Sequence, residues 1–199
     1  MTSANPTLAG RLGEVVEANS TSFVAQSYRL YDTPPLGGLV RAGSPECYSV
    51  VYRIVTEPLD PSRPVLARGE AMETEEEVFQ ENPQLNRLLT SRFEALIVGH
   101  GENGQVRAYL PPLPPRIHSF VYTCTTDQVQ RLTARLEWLR LLLNSSVPAS
   151  DEVVGACLRE ASAYHADARA FLSRAAAALA AELAGDLPRL NAVLRTVSP

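Results

Sequence analysis

The sequence predicts an α+β protein: a small, closed or nearly closed β-barrel of about six mainly antiparallel strands, followed by a bundle of about four helices. Two observations predict this division. Short β-branched and aromatic runs fill residues 11–109, whereas leucine- and alanine-rich runs with helical spacing fill residues 125–197. Four prolines between residues 111 and 115 separate them. We therefore expect a barrel domain over residues 1–124 and a helical domain over residues 125–199.

The first four strands are predicted from composition and turn residues. RLGEVVEA, from Arg11, and SFVAQSYRLY, from Ser22, flank an Asn-Ser-Thr sequence that favours a turn. LGGLVRA, residues 36–42, has a glycine pair that suits a bulge or a tightly coiled strand. CYSVVYRIVT, residues 47–56, is the most β-branched and aromatic run, so it predicts a central strand. Residues 66–72 are expected to form a short strand or an extended edge.

The following stretch is predicted to complete the barrel. PQLNRLL has proline in its first turn, which favours a short helix near residues 83–90. A buried strand over residues 93–100 then leads to Asn103-Gly104, a dipeptide that tolerates the two positive φ angles of a type I′ turn. A partner strand returns over residues 105–109. The prolines that follow can neither continue a ladder nor enter a helix interior, so we expect them to leave the barrel as a stiff extended segment.

The C-terminal part predicts about four helices. TTDQ, residues 125–128, fits a capping box, and apolar residues at spacings of three and four then predict one amphipathic helix to residue 143. A second helix begins near residue 150 and stops or bends near Asp167. A third runs to Gly185, a residue suited to the position after a helix end, and Asp186 is expected to cap the fourth. Short connections predict antiparallel neighbours.

Composition excludes several enzyme classes. The 18 basic residues are all arginine, so the chain by itself cannot supply the lysine of a Walker A loop, a pyridoxal phosphate enzyme or a protein kinase. The formal net charge of −4 lies in the β half, where 10 arginines face 14 acidic residues, against 8 and 8 from Thr125 onward. The N-terminal MTSANPTLAGRLG has no apolar leader, and no later run is long enough to span a membrane, so we expect a cytoplasmic protein.

No residue pattern predicts a catalytic, cofactor or metal site. The histidines are few and scattered, which favours structural or exposed roles: His100, His118 and His165. The cysteines are odd in number and widely spaced, which favours buried free thiols: Cys47, Cys124 and Cys157. No two of the 22 acidic residues are singled out as a catalytic pair. The glycines near residue 100 follow a strand into a hairpin rather than a helix N-terminus, so they predict turns and not a phosphate loop.

Two segments are candidates for partner contact. Between residues 70 and 81 lie six glutamates, which form either a solvated face or a docking surface for a basic partner. PPLPPR, ending at Arg116, is either a linker or a PxxP ligand. The candidate contact residues are Glu73, Glu75, Glu76, Glu77, Arg116 and His118.

The β half resembles the HAS-barrel, the small β-barrel at the N-terminus of HerA-type DNA-translocating ATPases and of rotary ATP synthase subunits. The resemblance covers about residues 11–124 and is carried by short glycine- and valine-based motifs: GEVV from Gly13, PLGGLV from Pro35, the run from Tyr48 to Ile54, FEALIVG from Phe93, and the proline-rich exit. It implies a barrel without catalytic residues that arranges subunits in a ring and docks partners. In this chain a helical segment replaces the ATPase domain that follows the barrel in that family, so the resemblance implies no ATP or metal site.

The residues and the resemblance together predict a non-enzymatic assembly or adaptor protein that binds a HerA-like ATPase or copies of itself. The alternative is an OB-like barrel that binds single-stranded nucleic acid. Four tyrosines on probable strands motivate it: Tyr28, Tyr31, Tyr48 and Tyr52. Such binding also requires a basic surface, which the fold could form by clustering five arginines of the β half: Arg41, Arg53, Arg68, Arg107 and Arg116. The acidic β half disfavours direct DNA binding. An enzyme with an unrecognised carboxylate site is the third hypothesis.

Overall fold

In the computed structural model, which describes residues 10–197, seven strands form one antiparallel sheet that closes on itself. The strands are Arg11–Ala18 (β1), Ser22–Ser27 (β2), Leu39–Ala42 (β3), Cys47–Pro58 (β4), Leu89–Glu102 (β5), Gln105–Arg107 (β6) and Phe120–Thr123 (β7). The order is β2-β1-β7-β3-β4-β5-β6, and β2 also pairs with β5. Six strands therefore form a ring, and β6 is attached to β5 beside it.

Alternating side chains fill the inside of the ring. Along β5, Phe93, Ala95 and Ile97 belong to one buried cluster, whereas Leu96 and Val98 belong to another on the opposite face of the strand. The inner cluster is entirely apolar and packs the ring interior: Val15, Phe23, Ala25, Val40, Ala42, Cys47, Val51, Phe93, Ala95, Ile97 and Val121. The predicted central strand, β4, lies between β3 and β5.

The predicted type I′ turn is confirmed. Asn103 and Gly104 have φ angles of 50° and 76°, and they connect Glu102 directly to its ladder partner Gln105. The returning strand, β6, ends at Arg107, two residues earlier than expected.

The prolines do not end the β part as the sequence predicted. After them the chain returns to the sheet as β7, which pairs with β1 and β3 and closes the gap between them. The short strand or extended edge expected over residues 66–72 is also wrong, because that mostly exposed segment pairs with no strand within residues 10–197. Both errors concern pairing between distant segments, which local composition does not encode.

The helices are Glu75–Glu81 (α1), Leu85–Leu88 (α2), Thr126–Thr133 (α3), Leu139–Leu143 (α4), Ser150–Ser162 (α5), Ala168–Glu182 (α6) and Leu187–Val197 (α7). The short helix expected near residues 83–90 is therefore α2. The capping box is confirmed, since Thr125 Oγ1 accepts from Gln128 N–H and the Gln128 side chain accepts from Thr125 N–H. Asp167 and Asp186 cap α6 and α7.

The single helix predicted up to residue 143 is wrong, because the chain leaves α3 at Thr133 and resumes as α4. Five helices therefore follow the sheet among the described residues, instead of about four. The break places Trp138 and Leu142 in the core together with Leu132 and Leu143.

The helices cover the outer face of β3, β4 and β5. Leu39, Val50, Leu96 and Val98 form a continuous apolar cluster with side chains from α3 to α7, and Trp138 is among its fully buried members. The approach is close at Gly37, where an added Cβ would lie 2.4 Å from the backbone nitrogen of Cys157 on α5. The helical part is thus packed on the ring. The two predicted domains extend beyond the described residues, which leave out residues 1–9, 198 and 199. Most of the N-terminal MTSANPTLAGRLG, on which the expectation of no leader was based, lies in this undescribed part.

We predict that Trp138→Ala lowers the free energy of unfolding by about 3–5 kcal/mol, because it leaves a cavity between ring and helices. The indole N–H has no hydrogen-bond partner in the structure, so the loss is one of packing. Urea denaturation measures it. The control is Leu187→Ala on α7, where 63% of the residue is exposed and the change should stay within about 0.5 kcal/mol. Equal effects of the two substitutions would contradict the packing described.

Candidate functional site

The six predicted contact residues lie at opposite ends of the ring. β4 and β5 are antiparallel, so Cys47 and Glu102 mark one end and Pro58 and Leu89 mark the other. Arg116 and His118 are in the connection to β7 at the first end, whereas the four glutamates are in the segment that joins Pro58 to Leu89 at the second. No hydrogen bond or ion pair joins the two groups within residues 10–197. We describe the ends as the proline rim, residues 110–119, and the insertion, residues 58–88.

The proline rim lies over the first end of the ring. Pro115 is buried, and Gly43 of the β3–β4 turn is so close that an added Cβ would lie 3.2 Å from the Pro115 Cβ. The rim borders a cleft of about 950 Å³ that reaches the buried Cys47. Leu113 is 76% exposed and Ile117 is 49% exposed. The rim therefore presents apolar side chains to solvent on an anchored backbone.

Both predicted rim residues are exposed, and within residues 10–197 only His118 has a side-chain hydrogen-bond partner. Its Nδ1 lies 2.9 Å from Glu14 Oε2 on β1, and its φ of 66° makes the turn that starts β7. The Tyr28 hydroxyl donates to Glu14 Oε1 over 2.7 Å. These hydrogen bonds, Tyr28 first and His118 second, lower the pKa of Glu14. Arg116 lines the cleft.

Next to the rim, arginines and aromatic rings alternate on the outside of the ring. The Arg11 guanidinium carbon lies 3.7 Å from the centre of the Phe120 ring and 6.0 Å from that of Tyr28. On β3, which pairs with β7, the Arg41 guanidinium carbon lies 4.5 Å from the centre of the Tyr122 ring. Such distances are those of cation–π contacts. These five residues form what we call the arginine–aromatic face.

This face was not predicted from the sequence, because Phe120 and Tyr122 lie on the unpredicted β7. Among the four tyrosines proposed for nucleic acid, Tyr28 belongs to the face and Tyr48 is buried. The proposed arginines do not gather into one basic patch. Several are paired with carboxylates instead, in the ion pairs Arg41–Glu46, Arg53–Glu94 and Arg107–Glu102.

The predicted glutamates surround the start of α1. The Thr74 hydroxyl accepts from Glu77 N–H, and the Glu77 carboxylate accepts from Glu73 N–H over 3.0 Å. This reciprocal cap explains locally why acidic residues stand there, because carboxylates stabilise a helix N-terminus. Glu75 and Glu76 are exposed. Within the described part of the chain, none of the four forms an ion pair with an arginine.

The insertion also contains an apolar groove of about 310 Å³. Four of its lining residues are exposed large hydrophobic side chains: Leu59, Val65, Leu66 and Leu88. Three arginines border it: Arg63, Arg68 and Arg87. We call this set the insertion groove. The sequence analysis missed it, because its members are spread over about 30 residues without helical or strand spacing.

A third recess of about 400 Å³ lies between the ring and the end of α4. In it the Tyr52 hydroxyl donates to Glu94 over 2.6 Å, and Arg53 forms an ion pair with the same carboxylate over 2.7 Å. Burial, followed by the hydrogen bond to Glu94, raises the pKa of Tyr52 to about 12. Tyr52 is therefore held protonated as a hydrogen-bond donor.

The remaining histidines contact their neighbours in the fold. The buried His100 has Nδ1 3.1 Å from the Tyr109 carbonyl oxygen. His165 stacks on Phe171 with ring centres 4.2 Å apart, and its Nε2 lies 2.9 Å from Thr133 Oγ1. Burial, with a smaller contribution from Arg174, lowers the pKa of His165.

Among residues 10–197, no three His, Cys, Asp or Glu side chains are grouped so that they could hold a metal ion. In the same range, no helix is both long and apolar enough to cross a membrane. All three cysteines are buried and free.

No protein-family model matches this chain, and no curated protein is significantly similar to it. The structure itself defines the class: an α+β protein in which a ring of antiparallel strands is covered on one side by helices.

We predict that the native thiols react slowly with a disulfide reagent at pH 8. Burial raises the pKa of Cys47 to about 11 and that of Cys124 to about 12, and it raises the pKa of Cys157 as well. Since the thiolate is the reactive form, little of it is present at pH 8. The release of thionitrobenzoate should be slow in buffer and should reach three equivalents in urea. A thiol that reacts at once in the native protein would contradict the burial described.

Proposed function

We propose that the protein is a non-enzymatic assembly or adaptor protein whose sheet ring acts as a HAS-barrel-like β-barrel and docks a protein partner. The resemblance of the β half to the HAS-barrel suggests a HerA-like hexameric DNA-translocating ATPase as the partner. The alternative partner in this proposal is a second copy of the same chain. The observation that best supports the proposal is the exposed apolar surface of the proline rim.

The rim has the properties of a protein contact surface. Leu113 and Ile117 are exposed apolar side chains on one short segment, with Arg116 between them in sequence. Both side chains line the same cleft, and contiguous exposed apolar surface is typical of interaction sites. Because prolines restrict the backbone and Pro115 is anchored against Gly43, ordering the rim on binding costs little conformational entropy.

The packing of the ring directs binding to its outer surface. The ring interior is filled by apolar side chains from β1 to β5 and β7, as expected for a small closed sheet whose side chains occupy its centre. The outer face of β3, β4 and β5 is covered by helices. The ends of the ring and the outer face of β1 and β7 remain open to a partner.

Charged substitutions on the rim test this proposal. Leu113→Asp together with Ile117→Asp should weaken the complex with a HerA-like ATPase from the same source at least about tenfold, because each buries a carboxylate in an apolar contact. Light scattering and co-purification at low salt measure the complex. The matched control is Leu187→Asp, at an exposed leucine far along the chain on α7.

Two outcomes would count against the adaptor proposal. The first is that wild-type protein and ATPase remain separate at low salt. The second is a complex that tolerates the rim substitutions as well as it tolerates the control.

The arginine–aromatic face favours a second function, the binding of single-stranded nucleic acid. Phe120 and Tyr28 are exposed rings on which bases could stack, and Arg11 supplies a cation next to both. Two features oppose it: Arg41 forms an ion pair with Glu46, and the β half is net acidic. For this reason we place it second.

If this second function is correct, Phe120→Ala should weaken binding of a fluorescent single-stranded oligonucleotide by about 1–3 kcal/mol, the contribution of one stacked base. Arg11→Gln should also reduce the salt dependence of binding. Tyr31→Ala removes an exposed ring outside the face and is the control. An absence of binding by wild-type protein at low salt would exclude this function.

A further inference from the structure

The insertion groove lies at the end of the ring opposite the proline rim, and nothing within residues 10–197 covers its apolar residues. Leu66 is 67% exposed, and Leu59, Val65 and Leu88 are exposed beside it. A neighbouring set of large apolar side chains of this kind is typical of a contact surface. Because the groove and the rim are separate, a partner on the rim leaves the groove free.

Within residues 10–197, some charges of the insertion have no ion-pair partner, although Arg63 at the groove pairs with Asp60 over 3.3 Å. Arg68 donates to Asn82 Oδ1 over 3.2 Å, and Arg87 is exposed. Neither arginine forms an ion pair within residues 10–197, and the same holds for Glu75 and Glu76. The arginines border the groove, whereas the glutamates stand at the start of α1.

The two charged groups are kept apart by the length of α1. Arg68 contacts the chain at Asn82, the residue that ends α1, and Glu75 begins the helix. Seven helical residues separate these points by about 10 Å. α1 is also anchored in place, because Phe79 packs edge-on against Tyr31 with ring centres 6.1 Å apart. Glu75 and Glu76 are therefore held away from the Arg68 guanidinium of their own chain.

We propose that the insertion groove binds the insertion of a second copy of this chain, in a two-fold symmetric dimer. A two-fold axis brings identical surfaces together, so residue pairs across it occur twice. The apolar side chains of the two grooves then cover each other, and the acidic start of each α1 faces the arginines of the other copy. Opposite charges on neighbouring parts of one surface are the arrangement that such self-pairing requires.

This inference deepens the proposed assembly function and rests on it. Two copies pair through their insertion grooves, and the proline rim of each copy stays free to bind the partner protein. The mixed charge favours a second copy over two other occupants. The glutamates at the start of α1 repel the phosphates of a nucleic acid, and the arginines that border the groove repel a basic protein. The inference is tested on the purified protein alone, so its failure is distinguishable from failure of the ATPase complex.

The decisive experiment is a charge swap. One variant carries Glu75→Arg and Glu76→Arg, and the other carries Arg68→Glu and Arg87→Glu. Each variant alone should dissociate at least about tenfold more readily than wild type, because like charges then meet at both symmetric contacts. An equimolar mixture should form a heterodimer again, since both contacts regain opposite charges. Sedimentation equilibrium of the full chain at low and high salt measures all four samples.

Leu66→Asp tests the apolar part of the interface. It should also dissociate the dimer at least about tenfold more readily, whereas Leu187→Asp, at 63% exposure on α7, should not. Recovery of the heterodimer in the charge-swap mixture shows that those variants are folded.

Three results would overturn the inference. If wild-type protein stays monomeric at low salt, a second copy does not bind the insertion groove, and the remaining candidate is an acidic segment of another protein. A dimer that survives both charge variants and Leu66→Asp has its interface elsewhere. Variants that dissociate but do not form a heterodimer when mixed exclude the pairing of α1 with the arginines.

Discussion

The two-sided burial of β5 is the constraint on which the rest of the structure depends. Phe93, Ala95 and Ile97 fill the inside of the ring, and Leu96 and Val98 form the floor on which the helices pack. The strand pairs with β2, β4 and β6, so one segment of 14 residues holds both hydrophobic cores in register. A shift of one residue would exchange the two sets of side chains, so the pairing register and both cores are determined together.

The antiparallel ring determines where the candidate surfaces lie. Connections alternate between its two ends, so the proline rim and the insertion are held apart by the length of the strands. The packed interior and the helical cover leave these ends as the principal open surfaces, together with the arginine–aromatic face. This geometry suits a protein that contacts two neighbours at once, because neither surface blocks the other.

Local sequence was informative where the interactions are local. The Asn103-Gly104 turn, the capping box at Thr125 and the cap at Asp186 all depend on residues a few positions apart, and each was predicted. The break between α3 and α4 was missed, because the apolar residues up to Leu143 keep helical spacing across it. β7 was missed for a related reason, since its four residues become a strand only between β1 and β3. The arginine–aromatic face depends on β7, so it was missed as well.

The sequence by itself determined the α+β class, the division between strands and helices near residue 124, the helix caps at Thr125 and Asp186, and the exclusion of lysine-dependent chemistry. These features follow from composition, periodicity and short-range hydrogen bonding. Only the tertiary structure decided the ring closure, the packing of the helices on it and the placement of the acidic and proline-rich candidates at opposite ends. It also brought Leu59 and Leu88 into one groove with Arg68. The physical reason is that exposed surfaces and strand pairings join residues distant in sequence, and their proximity depends on the folded backbone.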